Sequence, residues 1–174
     1  MERTKWIDRR FTFNIPPGWI YNIISRLENT PVVLKAIASE LSEEQLQHPI
    51  NNGWSIKLHI GHLADLESLH DGRIDDFIAG EEILRAADMS NAKTYSADHN
   101  HKPIEELLGS FSDLRRKFVT RLIDLEKDVQ QRESLHPRLQ MVMRPVDMAF
   151  FTAEHDDHHL ATIRMSGSVR GVFS

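Results

Sequence analysis

Apolar residues recur at three- and four-residue steps over four long segments, and no convincing run of period-two alternation appears anywhere. A chain patterned this way has to pack amphipathic helices against one another. The first segment runs from about Gly18 to Leu41, after Pro16-Pro17, with Ile20, Ile23, Ile24, Leu27, Leu34, Ile37 and Leu41 on one stripe. Pro31 lies inside it and predicts a kink or local break. Ser42, followed by Glu43, Glu44 and Gln45, predicts an N-cap and a short helical turn.

The second segment starts near Ser55, after the turn signal Asn51-Asn52-Gly53. It carries Leu58, His59, His62, Leu66 and Leu69, and could continue past Gly72 to Phe77, with Ala79-Gly80 as its stop. The third starts at Pro103, carries Ile104, Leu107, Leu108, Phe111, Leu114, Phe118, Leu122 and Leu125, and ends in Glu126-Lys127-Asp128. The fourth runs from near Pro145 to about Met165, with Met148, Phe151, Thr152, His155, His159 and Thr162 on one face and Ser166-Gly167-Ser168 after it. Glu81 to Lys102 reads as a long polar connection with a short helical piece around Ile83 and Leu84, and Ser134 to Arg144 reads as a loop. Phe11-Thr12-Phe13 is too short to count as a strand alone. The expectation is an all-α, four-helix bundle in a single domain over residues 1–174, with 1–17 an N-terminal extension and 166–174 a short tail.

Composition narrows the chemistry. Of the 174 residues none is Cys, which removes disulfides, Cys-ligated zinc, iron–sulfur clusters and Cys nucleophiles, while ten are His, so an all-nitrogen metal site stays open. Net charge is −5, too little positive field to make nucleic acid an expected partner. The basic start Met1 to Arg10 lacks the apolar stretch of a secretory signal. The most apolar later stretch, Val142 to Ala153, is broken by Arg144, Pro145 and Asp147, so no membrane span is expected and the cytoplasm is the default location.

The chemistry concentrates in Glu154-His155-Asp156-Asp157-His158-His159. On a helix His155 and His159, four apart, aim their rings at one point, while His158 shares that face only partly. Two His make half of a metal site, and the third ligand should come from a facing helix. His62, in Gly61-His62-Leu63-Ala64-Asp65, is the strongest candidate, and His59 competes with it. The bland alternative is that these rings are hydrogen-bonded core residues. Asp65, Glu67, Asp156 and Asp157 flank the histidines. Asp65 and Asp157 are the candidates for a proton acceptor or for orienting a ligand ring, against the simpler reading of a solvated helix face. His48, His99 and His101 are expected at the surface, as is His70 near the end of a helical segment. His136 could line the mouth of the site, although a surface place suits it better. Trp54 reads as a packing anchor, and Asp113-Leu114-Arg115-Arg116-Lys117 as a solvated face.

Gly53-Trp54-Ser55, Gly61-His62-Leu63-Ala64-Asp65 and Glu154-His155-Asp156-Asp157-His158-His159-Leu160-Ala161-Thr162-Ile163, in that order, resemble the DinB-like (DinB/YfiT) superfamily of metalloenzymes from about Trp19 to Met165. The resemblance implies an up-up-down-down four-helix bundle and a divalent metal, nickel or zinc, held by His62, His155 and His159. It also implies a homodimer, for which Phe77 and Ile78 are exposed apolar candidates. Two enzymatic functions follow: water activated for hydrolysis, or a small-molecule thiol activated for S-transfer or isomerisation, the substrate being a small molecule in either case. With no Cys in the chain, such a thiol has to be borrowed. The alternative from another class is a stress-related metal- or ligand-binding bundle without turnover.

Overall fold

The four apolar stripes become four long helices, α1 (Ile20–Ala38), α3 (Ile56–Ala79), α5 (Ile104–Ile123) and α6 (Pro145–Arg164). Two short ones, α2 (Glu43–Gln47) and α4 (Ala92–Ser96), lie in the connections. A computed structural model describes residues 3–166 and 169. The expected tail, 166–174, therefore lies almost entirely outside the described residues. Local chemistry sets the helix ends. Ser42 and Gln45 form a capping box before α2, the Ser55 hydroxyl accepts from the Leu58 N–H at the start of α3, and Gly80 ends α3 in the left-handed conformation at φ 74°.

The long helices pack as two parallel pairs. The first half of α1, the second halves of α3 and α5 and the first half of α6 share one apolar cluster around Ile23, Leu27, Phe77, Phe118 and Met148. The opposite halves share another around Leu34, Ile60, Phe111 and Ile163. Along the chain the directions are therefore up, down, down, up, with α1 parallel to α6 and α3 parallel to α5. This corrects the expected order up-up-down-down. The long connection that lets the chain keep its direction lies between α3 and α5, whereas the α1–α3 connection turns back at one end of the bundle.

Between the two apolar clusters lies a charged layer. Arg115 of α5, 1% exposed, donates to both Glu67 oxygens from Nε, at 3.2 and 3.1 Å, and from Nη2 to Oε1 at 2.6 Å; it also pairs with Asp156 of α6. Its Nη1 donates to the Leu27 carbonyl at 3.1 Å, and the Thr30 hydroxyl donates to Asp156 at 3.0 Å, so all four long helices meet here. One guanidinium thus serves two carboxylates, and burial pushes the Glu67 carboxyl above its ordinary range. The layer overturns the reading of Arg115 as part of a solvated face, and it takes Glu67 and Asp156, two of the four acidic residues that flank the histidines, out of solvent. It also explains why Pro31 does not break α1. Proline deletes the N–H that would bond the carbonyl four residues back, which is Leu27, and that carbonyl accepts from Arg115 instead.

Other expectations change in the connections. Ile83 and Leu84 are extended: the Leu84 N–H donates to the Leu135 carbonyl at 3.0 Å, and the helical pieces of this stretch are α4 and a single 3-10 turn at His99–His101. Residues 134–144 are a hairpin of β1 (Ser134–His136) and β2 (Met141–Met143), antiparallel with Ser134 opposite Met143. The N-terminal extension packs onto the bundle: Phe13 enters the core, and the N–H groups of Asn14 and Ile15 donate to Asp147 at 2.9 and 2.8 Å. Phe77 is fully buried, not an exposed dimer candidate, while Ile78 is 49% exposed. No described helix is long and apolar enough to cross a membrane.

Arg115→Met leaves two buried carboxylates without their cation and should destabilise the fold by about 3–5 kcal/mol in urea titrations. A loss under about 1 kcal/mol would show that the layer does not tie the helices together.

Candidate metal centre

On α6, Asp156 turns into the charged layer, while His155 and His159 turn to the flank of the bundle, facing α3. His62 of α3 meets them there. One ligand nitrogen from each of the three rings can be chosen so that all lie within 4.8 Å of one another. Nε2 of His155 and Nε2 of His159 are 3.1 Å apart, close to the roughly 3.3 Å edge of a tetrahedron with 2.0–2.1 Å metal–nitrogen bonds. Burial, the largest cause for each ring, holds all three imidazoles neutral: His62 is pushed down to about 4, and His155 and His159 go well below their ordinary value. Neutral lone pairs converging on one point fit a metal ion better than they fit each other, since two imidazoles that close can share only one proton between them.

The rings are held from behind. Nδ1 of His62 is 3.1 Å from the Thr94 hydroxyl, which donates to Asp65 Oδ2 at 3.1 Å, and that oxygen is also 2.8 Å from His99 Nε2. With Nδ1 committed to Thr94, His62 keeps Nε2 for the site. A Cβ on Gly61 would come within 2.3 Å of the His99 ring, so the absence of a side chain there is what lets His99 reach Asp65. Nδ1 of His159 lies 2.7 Å from Nδ1 of His59, which makes His59 a support for a ligand as the chain is folded here. Nδ1 of His155 is buried without a partner. His158 leans away, with Nδ1 2.8 Å from the Arg3 guanidinium.

The three histidines open into a cavity of about 490 Å³. Trp54 forms a wall, with its ring 4.8 Å from that of His62, so it is more than the packing anchor expected. Trp6 closes another side, 5.0 Å from the His155 ring, which makes the N-terminal extension part of the site. His70, His99 and His136, expected at the surface, are all buried, and His70 and His136 line the cavity with Leu66, Arg73 and Arg138. His48 and His101 are exposed as expected. Neither Asp65 nor Asp157 lines the cavity. Asp65 stands behind His62, and Asp157 pairs with Arg26 at 2.5 Å on the outer side of α6. Thr94, Trp6, Arg73 and Arg138 were missed. Arg73 had a signal, three residues beyond His70 on the helix face that carries His62 and Leu66; the others are brought in by connections with no local pattern.

A helical bundle with a three-histidine cluster opening into a flanking cavity is the class this structure defines. The chain belongs to the DinB superfamily, whose family model matches residues 26–163. It is similar to a Bacillus pumilus (strain SAFR-032) protein named "Putative metal-dependent hydrolase", 26% identical over 141 residues, or 80% of each chain. The fold matches the solved structure of YfiT from Bacillus subtilis, described as "a probable metal-dependent hydrolase with an unusual four-helix bundle topology". That match has a TM-score of 0.77 and 22% identity, over 89% of both chains.

Burial, and then the charges of Arg73 and Arg138, lower His136 to about 4. Because the folded value lies below the ordinary 6.5, this ring's contribution to stability is complete above about pH 6.5 and is lost as pH falls toward 4. Melting temperature should therefore drop across that window. The drop should be shallower in His136→Asn, whose amide oxygen can still accept from the Leu139 N–H; parallel curves would refute the assignment.

Proposed function

We propose that the chain is a metal-dependent hydrolase acting on a small molecule, with His62, His155 and His159 as the metal ligands. The observation that carries this reading is the convergence of three neutral imidazoles at a cavity large enough for a substrate. The name of the Bacillus pumilus relative supports it. A divalent ion, nickel or zinc by preference, supplies Lewis acidity there and makes a nucleophile available at neutral pH.

The chain's own residues do the rest. His62 is kept in one tautomer and orientation by Thr94 and Asp65, so Asp65 is a positioning residue. His59 braces His159 in the same way. Trp6 and Trp54 bound the cavity and restrict water. Among the described residues no carboxylate stands ready as a general base at the histidines, so the attacking group would be activated at the site itself. The same arrangement would serve a borrowed thiol, and we take the cytoplasm as the setting and a homodimer as the assembly.

Elemental analysis of the purified protein should find close to one divalent ion per chain, and His62→Ala, His155→Ala and His159→Ala should each lose it. Chelation should abolish hydrolysis of 4-nitrophenyl esters, and the metal should restore it. A protein that holds no stoichiometric metal refutes the reading; turnover only with an added low-molecular-weight thiol converts it to an S-transferase. Thr94→Val removes the relay behind His62 and should weaken metal binding by ~10–100-fold, measured by competition with a chromophoric chelator. Unchanged affinity would leave Thr94 and Asp65 no part in holding the ring.

A further inference from the structure

The cavity extends beyond the three histidines to side chains that the metal chemistry does not use. Arg73 of α3 and Arg138 of the hairpin turn both line it. Arg73 is 2% exposed. Its Nε and Nη2 donate to the Arg85 carbonyl at 3.2 and 3.1 Å, and Nη1 has no partner among the described residues. Arg138 has no ion pair among the described residues, and its guanidinium carbon stands 5.8 Å from the centre of the Phe151 ring. Burial lowers Arg73 to about 10; the charge of Asp76 opposes that fall, and the nearby charge of Arg138 adds to it.

The nearby carboxylates are hydrogen-bonded to other donors, although the charge of Asp76 also reaches Arg73. Asp76 accepts from the Arg85 side chain at 2.6 and 3.0 Å, held where Arg85 crosses α3 at Gly72, a point where a Cβ would meet its Nη1 at 2.0 Å. Asp88, the acidic side chain on the cavity lining, accepts from the N–H groups of Ser90 and Ala92 and from the Ser90 hydroxyl. His70 and His136, beside the arginines, are held neutral. Arg73 is buried and Arg138 half-buried, and neither has a carboxylate in direct contact among the described residues, so an anion from outside could be held by both.

We propose that Arg73 and Arg138 form the subsite for the anionic end of the substrate, a small organic molecule carrying a carboxylate or phosphate group and an apolar body. The planar guanidinium suits both oxyanions. Trp6 and Phe151, whose rings lie 5.1 Å apart, supply the apolar wall between this subsite and the histidines. The anionic end would then fix the molecule while its reactive bond sits over the three rings. The proposal rests on reading the cavity as the metal-dependent active site.

The test is calorimetric titration of the purified, metal-loaded protein with phenylacetate, phenyl phosphate and the neutral phenylacetamide. Both anions, or one of them, should bind at least tenfold more tightly than the amide, and the tighter one identifies carboxylate or phosphate as the natural group. Arg138→Gln, at a partly exposed position, should erase that preference while leaving the metal content unchanged. Arg73→Lys, checked for folding by circular dichroism, should weaken it. His155→Ala should keep the preference, because the anion is held away from the metal ligands. Equal binding of anions and amide overturns the proposal. So does an Arg138→Gln variant that binds the anions as the parent does, or an anion preference lost in His155→Ala alone. A protein without metal that still prefers the anions through Arg138 overturns the hydrolase reading and leaves the subsite standing.

Discussion

Everything in this bundle is arranged around one buried cation. Arg115 stands where the two apolar clusters meet, and its five N–H donors are answered by a carboxylate on α3, a carboxylate on α6 and a main-chain carbonyl on α1. Apolar stripes can slide or rotate past one another at modest cost, whereas a buried guanidinium tolerates only the geometry that satisfies it. Fixing Asp156 in that layer fixes the rotation of α6, and with it the direction in which His155 leaves the helix. Fixing Glu67 does the same for α3 and His62. The charged layer costs desolvation energy that an apolar layer would not, and what it secures is the mutual register of the two helices that carry the three histidines.

The long helices were legible because each advertises itself twice, by an apolar stripe and by local punctuation such as Ser55 and Gly80. The histidine cluster was legible for a related reason: His155 and His159 are four apart on one helix, and only the third ring had to be found across the bundle. The charged layer was misread because residue type was allowed to outweigh position. Phe111, Arg115, Phe118 and Leu122 follow four-, three- and four-residue steps, so Arg115 sits on the core stripe, and Leu114, which was given that place, is 38% exposed. Leu63, Glu67, His70, Ile74 and Phe77 make the same pattern on α3, and all are buried. A polar residue on a core stripe predicts a partner, and three such residues on three helices could have been matched to one another.

What stayed illegible came from the connections. His99, Thr94, His136 and Trp6 reach the site or its supports from segments without a helical period, and their places depend on contacts distant in sequence. The only local traces were two glycines. Gly61 and Gly72 each lie on α3 where a ring or a guanidinium from the 81–102 connection presses against the backbone. A glycine inside a long helix weakens it by roughly 1 kcal/mol relative to alanine, so two of them on one helix mark surfaces that something else must cover.

Pro31 carries a consequence for the order of assembly. In isolation a proline in the interior of a helix costs roughly 3 kcal/mol, so α1 on its own is a weak helix whose two halves have little reason to join. The interaction that rescues it, the hydrogen bond from Arg115 to Leu27, exists only after α5 has docked. The stretch of α1 beyond the proline should therefore consolidate late, onto a scaffold of α3 and α5 that already pack in parallel. Substitutions at Leu34 and Ile37 would then speed unfolding far more than they slow folding, the kinetic signature of a helix that arrives last.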